Sequence, residues 1–213
     1  MENKAILKQE SKEKKHDTDL VTRAVEFAAR AHDGQVRKGT EIPYIVHPME
    51  AAAIAAGMTA DPEVIAAAVL HDTVEDTDAT REQIEKKFGS RVAELVAAES
   101  ENKREEQAAE KTWKTRKSET IEHLRHCDDR DVKILALADK LSNLRAIYRD
   151  FLKQGEDLWK RFNQSDPTMI GRYYRSFVDV CGELEKETAM KEYRELLEKM
   201  KWIDLESLDP SAF

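Results

Sequence analysis

The sequence is poor in residues that interrupt or crosslink a chain. Seven glycines and five prolines are spread over 213 residues. That is too little punctuation for many short strands and tight turns, so long helices with polar outer faces are expected. Two cysteines, Cys127 and Cys181, lack any CxxC spacing and give neither a disulfide framework nor a cysteine zinc site. No run of 18 apolar residues occurs, and the chain opens Met1-Glu2-Asn3-Lys4 and continues highly charged. Neither a membrane span nor a signal segment is expected. A basic excess is also missing: 35 Lys and Arg stand against 43 Asp and Glu, a net charge of −8. A chain that coats nucleic acid needs a basic face, so that class is disfavoured. A small anionic substrate remains compatible, because a local basic pocket can sit inside an acidic shell. A soluble, cytoplasmic protein with neither nucleic-acid nor membrane partner is expected, and its oligomeric state is not legible.

What is present points to one all-α domain. Residues 1–17 are expected as a charged tail, 18–200 as the domain and 201–213 as a second tail. Leu20, Val21, Ala24, Val25, Phe27, Ala28 and Ala31 recur at helical spacing. Gly34, Gly39 and Pro43 then mark a loop. His47-Pro48 opens a helix running to Gly57, and Asp61-Pro62 opens another to about His71. The second is apolar all round and so is expected to be buried. Thr80 and Gln83 form a capping-box pattern, with Gly89 ending that helix. A helix is expected from Trp113 to His126, then a turn at Cys127-Asp128-Asp129. Val132 to Ile147 reads as the strongest amphipathic helix. Asp166-Pro167 opens a long helix toward Glu187, and Met190 to Met200 forms a last amphipathic segment.

The chemistry begins with His71-Asp72, which closes the buried apolar helix. Neighbours on a helix point about 100° apart, so both reach one ion only near a helix end. A charged Asp there needs a partner, and a divalent metal beside a His supplies one. The ordinary alternative is a helix-end His with a capping Asp. Asp139 lies in the apolar run Ile134-Leu135-Ala136-Leu137-Ala138, where a lone buried carboxylate is unexpected. His47 follows Tyr44-Ile45-Val46. His47, His71, Asp72 and Asp139 together make a mixed nitrogen and oxygen set suited to Mn²⁺, Fe²⁺ or Zn²⁺. Glu75 and Asp76 follow Asp72 by three and four residues, where their carboxylates can orient and deprotonate a water. Their ordinary alternative is a solvated helix end. Arg37 and Lys38, on the loop before His47, are candidate phosphate or base contacts, or else an exposed charge pair. Asn143 is four residues after Asp139 and shares its helix face.

These residues resemble a known family. The runs Arg37-Lys38…Pro43-Tyr44-Ile45-Val46-His47-Pro48, Leu70-His71-Asp72-Thr73-Val74-Glu75-Asp76-Thr77 and Leu137-Ala138-Asp139-Lys140-Leu141-Ser142-Asn143-Leu144-Arg145 resemble the hydrolase domain of Rel/SpoT proteins, in particular the stand-alone small alarmone hydrolases. The resemblance covers about residues 20–187. It implies an all-helical HD fold, Mn²⁺ as the first-choice metal with Zn²⁺ or Fe²⁺ as alternatives, and removal of 3′-pyrophosphate from (p)ppGpp- or (p)ppApp-type nucleotides. By the same resemblance His47, His71, Asp72 and Asp139 hold the metal. Glu75 and Asp76 activate water, while Arg37, Lys38 and Asn143 contact the nucleotide. His32 sits in an Ala-His-x-Gly-Gln signature and is read as structural. The chain is too short for the synthetase and regulatory domains of the long Rel/SpoT enzymes, so no synthetic activity is expected.

Between residues 99 and 126 the sequence departs from the metazoan-type pattern. Lys103, Arg104, Lys114, Arg116 and Lys117 are loosely assigned to the substrate's phosphates, against the alternative of a solvated basic face. Trp113 anchors its helix or stacks on a base. Arg172 is a further candidate phosphate contact. Two other functions stay open: a phosphatase for another nucleotide, such as NADPH or a nucleoside monophosphate, and a metal-bound nucleotide-binding module without turnover.

Overall fold

A computed structural model describes residues 18–100, 104 and 106–208. The expected N-terminal tail, Lys103 and residues 209–213 lie outside the described residues. Among those described, helices dominate and no strand forms; one isolated antiparallel bridge joins Val36 to Pro43.

The helices are α1 (Thr18–Ala31), α2 (Val46–Ala56), α3 (Pro62–Leu70), α4 (Thr73–Asp76), α5 (Arg81–Phe88), α6 (Ser90–Glu99), α7 (Ala109–His126), α8 (Arg130–Gln154), α9 (Pro167–Val180) and α10 (Thr188–Lys199). Local chemistry sets their ends. Asp61 caps α3 by accepting from the Glu63 amide at 2.8 Å, with Pro62 in the first turn. Thr80 and Gln83 form a full capping box on α5, and Gly89 closes it at φ 95°, a backbone region open to glycine. Asp129 and Asp166 cap α8 and α9 in the same way as Asp61.

Helix α3 is the hub, packing against α1, α2, α6 and α8. Val64, Ala66, Ala67, Ala68 and Leu70 are wholly buried, as are Ala24, Ala28, Ala51 and Ala55 on the neighbouring helices. These small side chains let the helix axes approach closely. Each larger apolar side chain buried here contributes roughly 1.5–3 kcal/mol. Leu70→Ala would cost about 2–5 kcal/mol, because the packed helices cannot collapse into the cavity.

Three expectations need correction. Helix α8, expected as the strongest amphipathic helix, is buried on more than one face. Residues 134–139 are consecutively buried, since α2, α6, α9 and α10 surround it. The helix opened by Asp166-Pro167 stops at Val180, with Cys181 leaving helical geometry before a 3₁₀ turn at Gly182–Leu184. Residues 201–208, expected to begin a tail, fold back on the body. Trp202 stacks on Tyr174 with ring centroids 6.0 Å apart, and the Leu208 amide donates to Ser176 Oγ at 2.7 Å.

Candidate metal centre

A junction between two helices carries half of the centre. Helix α3 ends at Leu70, and α4 begins only at Thr73. Neighbours on a helix diverge by about 100°. Here both residues keep right-handed helical backbone angles at the junction, and their side chains bring His71 Nε2 and Asp72 Oδ2 within 3.1 Å. Thr73 Oγ1 secures the junction by donating to the Leu70 carbonyl at 2.6 Å. His47, from the first turn of α2, and Asp139, from the middle of α8, complete the cluster. His47 Nε2 lies 3.1 Å from Asp139 Oδ1 and 3.5 Å from Asp72 Oδ2, and His71 Nε2 lies 3.6 Å from Asp139 Oδ1.

The tautomers decide what belongs between these atoms. His71 Nδ1 is 2.8 Å from the Ala68 carbonyl, which only accepts, so Nδ1 carries the proton. His47 Nδ1 is 2.8 Å from Ser142 Oγ, and that hydroxyl donates to Glu50 Oε2 at 2.8 Å. Its oxygen therefore accepts from His47 Nδ1. In their neutral forms both imidazoles thus turn an Nε2 lone pair toward two carboxylates, and only a cation or a proton at Nε2 relieves that arrangement. His71 Nε2 is buried without a hydrogen-bond partner. Four electron-pair donors facing one another are repulsive unless a cation lies among them. Donor atoms about 2.1 Å from one ion sit roughly 3 Å apart at right angles, close to the observed separations. The donor set therefore fits a divalent cation with positions to spare.

The electrostatics agree. Burial opposes charge on His71, yet the Asp72 and Asp139 carboxylates outweigh it and raise its pKa well above the ordinary histidine value. The site thus attracts positive charge to that nitrogen. Burial also opposes charge on Asp139, but Lys140 and the two imidazoles hold it well below the ordinary carboxylate range. Burial of Tyr44, with Asp72 and Asp76 beside it, keeps its hydroxyl protonated. That hydroxyl is 2.7 Å from Asp72 Oδ2 and 3.0 Å from Asp76 Oδ2. Gln35 Nε2 donates to the Asp76 carbonyl at 2.8 Å. Asp76 is thereby tied to the centre from two sides, and Glu75 is half-buried on the same short helix.

Two adjoining cavities open beside the cluster, of about 290 and 310 Å³. The first runs from His47 past Arg37 and Asn143 to Asp150. Arg37 Nη2 donates to Asn143 Oδ1 at 2.5 Å, and Asn143 Nδ2 donates to Asp139 Oδ1 at 2.6 Å. The second is the basic one, with Lys38, Arg116, Lys117 and Lys140 in its wall. Trp113 packs edge-on against Tyr173 at 6.0 Å. Lys114 is exposed and lines neither cavity. Arg172 also stands apart, 3.6 Å from Glu206, and Arg104 pairs with Glu119 at 2.5 Å. His32 is buried, stacked on Tyr44, with Nδ1 2.8 Å from Gln35 Oε1.

Sequence reasoning missed Glu50, Ser142, Tyr44 and Gln35, which support the centre, and Glu99. Burial raises the Glu99 carboxyl to about 7, with Lys140 opposing. Ser142 could have been suspected from its place one turn past Asp139 on a buried face; Glu50 carries no local signal.

The HD domain profile matches residues 24–167. The guanosine-3′,5′-bis(diphosphate) 3′-pyrophosphohydrolase MESH1 of Danio rerio is 42% identical over 135 residues, which are 62% of this chain and 71% of that protein. A guanosine-3′,5′-bis(diphosphate) 3′-pyrophosphohydrolase of Aquifex aeolicus is 40% identical over 134 residues, 60% of this chain but only 18% of that longer protein. Among solved structures, a metazoan orthologue of SpoT that hydrolyses ppGpp superposes with a TM-score of 0.69 at 25% identity, covering 86% of this chain and 97% of that one.

Proposed function

The chain belongs to the HD domain family of phosphohydrolases, and from that membership we propose that it removes the 3′-pyrophosphate from nucleotides of the (p)ppGpp or (p)ppApp type, using a divalent metal with Mn²⁺ first. The observation that carries this reading is the pair of histidine lone pairs facing two carboxylates at the mouth of a cavity walled by Arg37 and Asn143. Its relatives of the same domain size act on guanosine-3′,5′-bis(diphosphate).

In this reading His47, His71, Asp72 and Asp139 hold the cation. When bound, it supplies positive charge opposite the phosphate oxygens that gain electron density as the bond breaks. Glu75 and Asp76 orient a water and take its proton while its oxygen bonds to phosphorus. The bond between phosphorus and the ribose 3′-oxygen breaks, and that oxygen leaves as a hydroxyl, receiving the proton that the carboxylate pair took from water. Tyr44 keeps the Asp76 carboxylate aimed at the centre. Arg37 and Asn143 hold the nucleoside. Lys38, Arg116 and Lys117 meet the outlying phosphates, and Lys114 and Arg172, which line neither cavity, act only at longer range.

Product analysis of the Mn²⁺-loaded protein with a panel of ppGpp, pppGpp, ppApp, NADPH and nucleoside monophosphates tests the proposal. Pyrophosphate released from the alarmones alone is the expected result. Orthophosphate from NADPH or a monophosphate would replace this reading with a phosphatase, and no turnover on any nucleotide would leave a binding module.

A further inference from the structure

The end of the first cavity farthest from the metal centre carries a second set of polar groups that the hydrolytic reading does not use. Asp150 lies on the α8 stripe that begins at Asp139 and passes Asn143. It is eleven residues on, roughly 16 Å along the axis at 1.5 Å per residue. The first cavity runs along this stripe from His47 to Asp150, so a nucleoside whose 3′-phosphate sits at the centre has room to extend that way. Asp150 is 6% exposed and lines the cavity. Arg161 Nη2 donates to its Oδ2 at 2.8 Å, so its charge is compensated inside the protein. Its Oδ1 is 3.7 Å from Arg149 Nε, beyond hydrogen-bond range, and keeps open acceptor positions among the described residues. Arg161 Nη1, from the same wall, is buried with no partner. Gly39 holds φ +73°, and a Cβ there would come within 3.0 Å of Arg161 Cδ. The loop backbone thus closes directly over this arginine. Phe162 and Tyr174 supply aromatic surface in the same cavity.

We propose, resting on the reading of the substrate as a purine nucleotide, that Asp150 and Arg161 read the Watson–Crick edge of guanine. That edge presents one acceptor, O6, beside two donors, N1–H and the N2 amino group. A buried guanidinium donor beside a carboxylate with open acceptor positions is its complement. Adenine presents a donor where Arg161 also donates, and a lone pair at N1 where Asp150 offers another. A buried polar pair left unmatched rejects the wrong base far more strongly than an apolar wall does. The chain therefore prefers guanosine over adenosine nucleotides, and Asp150 sets the preference.

Calorimetric binding of guanosine and adenosine 3′,5′-bisphosphate to the Mn²⁺-loaded protein tests this without turnover. The parent should favour guanosine by at least about tenfold and up to the order of 10²-fold. Asp150→Asn keeps the volume but offers one acceptor and one donor, which suits adenine, and should erase or reverse the preference. Arg161→Lys keeps a charge beside Asp150 but removes Nη1, and should shrink the preference without unfolding the chain. Equal affinity of the parent for the two nucleotides would overturn the proposal. So would variants that lose both nucleotides in the same proportion. Alarmone turnover measured in parallel separates the two claims: a guanosine preference without turnover upholds the base site and removes the hydrolase reading.

Discussion

The four side chains of the candidate metal centre and the basic wall of the second cavity are held in different ways. Around the centre nearly every polar atom has a named partner. His47 leans on Ser142 and then Glu50, His71 on the Ala68 carbonyl, and Asp139 on Asn143 and Lys140. Arg145 extends the chain by donating to Glu50 at 3.0 Å and to Glu192 at 2.6 Å. The groups come from α2, the α3–α4 junction and α8, all packed into one core. Across the cavity, Lys140 of α8 apart, the charges sit on α7 and on the loop of Lys38, partly exposed, with long side chains. The first region needs positions fixed to fractions of an ångström. In the proposed hydrolase the second needs only positive potential near the substrate's phosphates, and ammonium and guanidinium groups on long side chains supply that. Single substitutions should therefore be severe in the first region and graded in the second.

The largest effect should come from His71→Ala and Asp139→Ala. Each removes a donor from a buried set, and the remaining three cannot compensate the cation. Metal analysis after gel filtration should show lost occupancy, with turnover down by orders of magnitude. Stoichiometric metal in both variants would erase the contrast between the two regions. Next come Glu75→Gln and Asp76→Asn. Both are expected to keep the metal and lose turnover on the order of 10²-fold or more. Near-normal rates in both would show that neither handles the proton.

Ser142→Ala probes the support beneath the centre. It leaves His47 Nδ1–H facing no acceptor and strands Glu50 Oε2. A weakened second partner of a histidine ligand lowers metal affinity by roughly 10- to 100-fold. Titration of apo protein with Mn²⁺ should show that loss, with turnover recovered at saturating metal. Unchanged affinity would mean that the ring is held by packing alone.

That His47, His71, Asp72 and Asp139 meet was legible because each residue type is costly where it sits. A carboxylate directly after the apolar run Ile134–Ala138, or a His-Asp pair closing an all-apolar helix, calls for a partner wherever the chain folds. The supports were not legible. Glu50 and Ser142 are 92 residues apart, and nothing local marks a half-buried Glu three residues after His47 as belonging to that histidine. The same limit explains α8. Its apolar spacing is compatible with a surface helix or a central one, and only the helices that surround it decide. Arg172, a candidate phosphate contact by resemblance alone, has Glu206 as its neighbour in space.

The smallest effect, and the one that best sharpens the contrast, is expected on α7. Arg116 Nε is 3.3 Å from Thr112 Oγ1, and Lys117 Nζ lies 5.1 Å over the Tyr173 ring. Both side chains line the second cavity, which shares Lys38 and Asn143 with the first. A phosphate reaching into it gains attraction from several cations at once and depends on none. Arg116→Ala or Lys117→Ala should therefore raise KM only several-fold, about 1 kcal/mol for a half-exposed contact, with kcat nearly unchanged. The rise should be larger for a five-phosphate alarmone than for a four-phosphate one, because the extra group reaches further into the basic wall. It should also shrink between low and physiological salt, where the screening length falls to about 8 Å. A KM that stays put for both substrates at every salt concentration would make α7 an ordinary solvated face, and the phosphate site would then have to be built from Lys38 and Lys140 alone. A kcat loss as deep as that of Asp76→Asn would break the comparison from the other side, since it would place a group from the flexible region inside the reacting geometry.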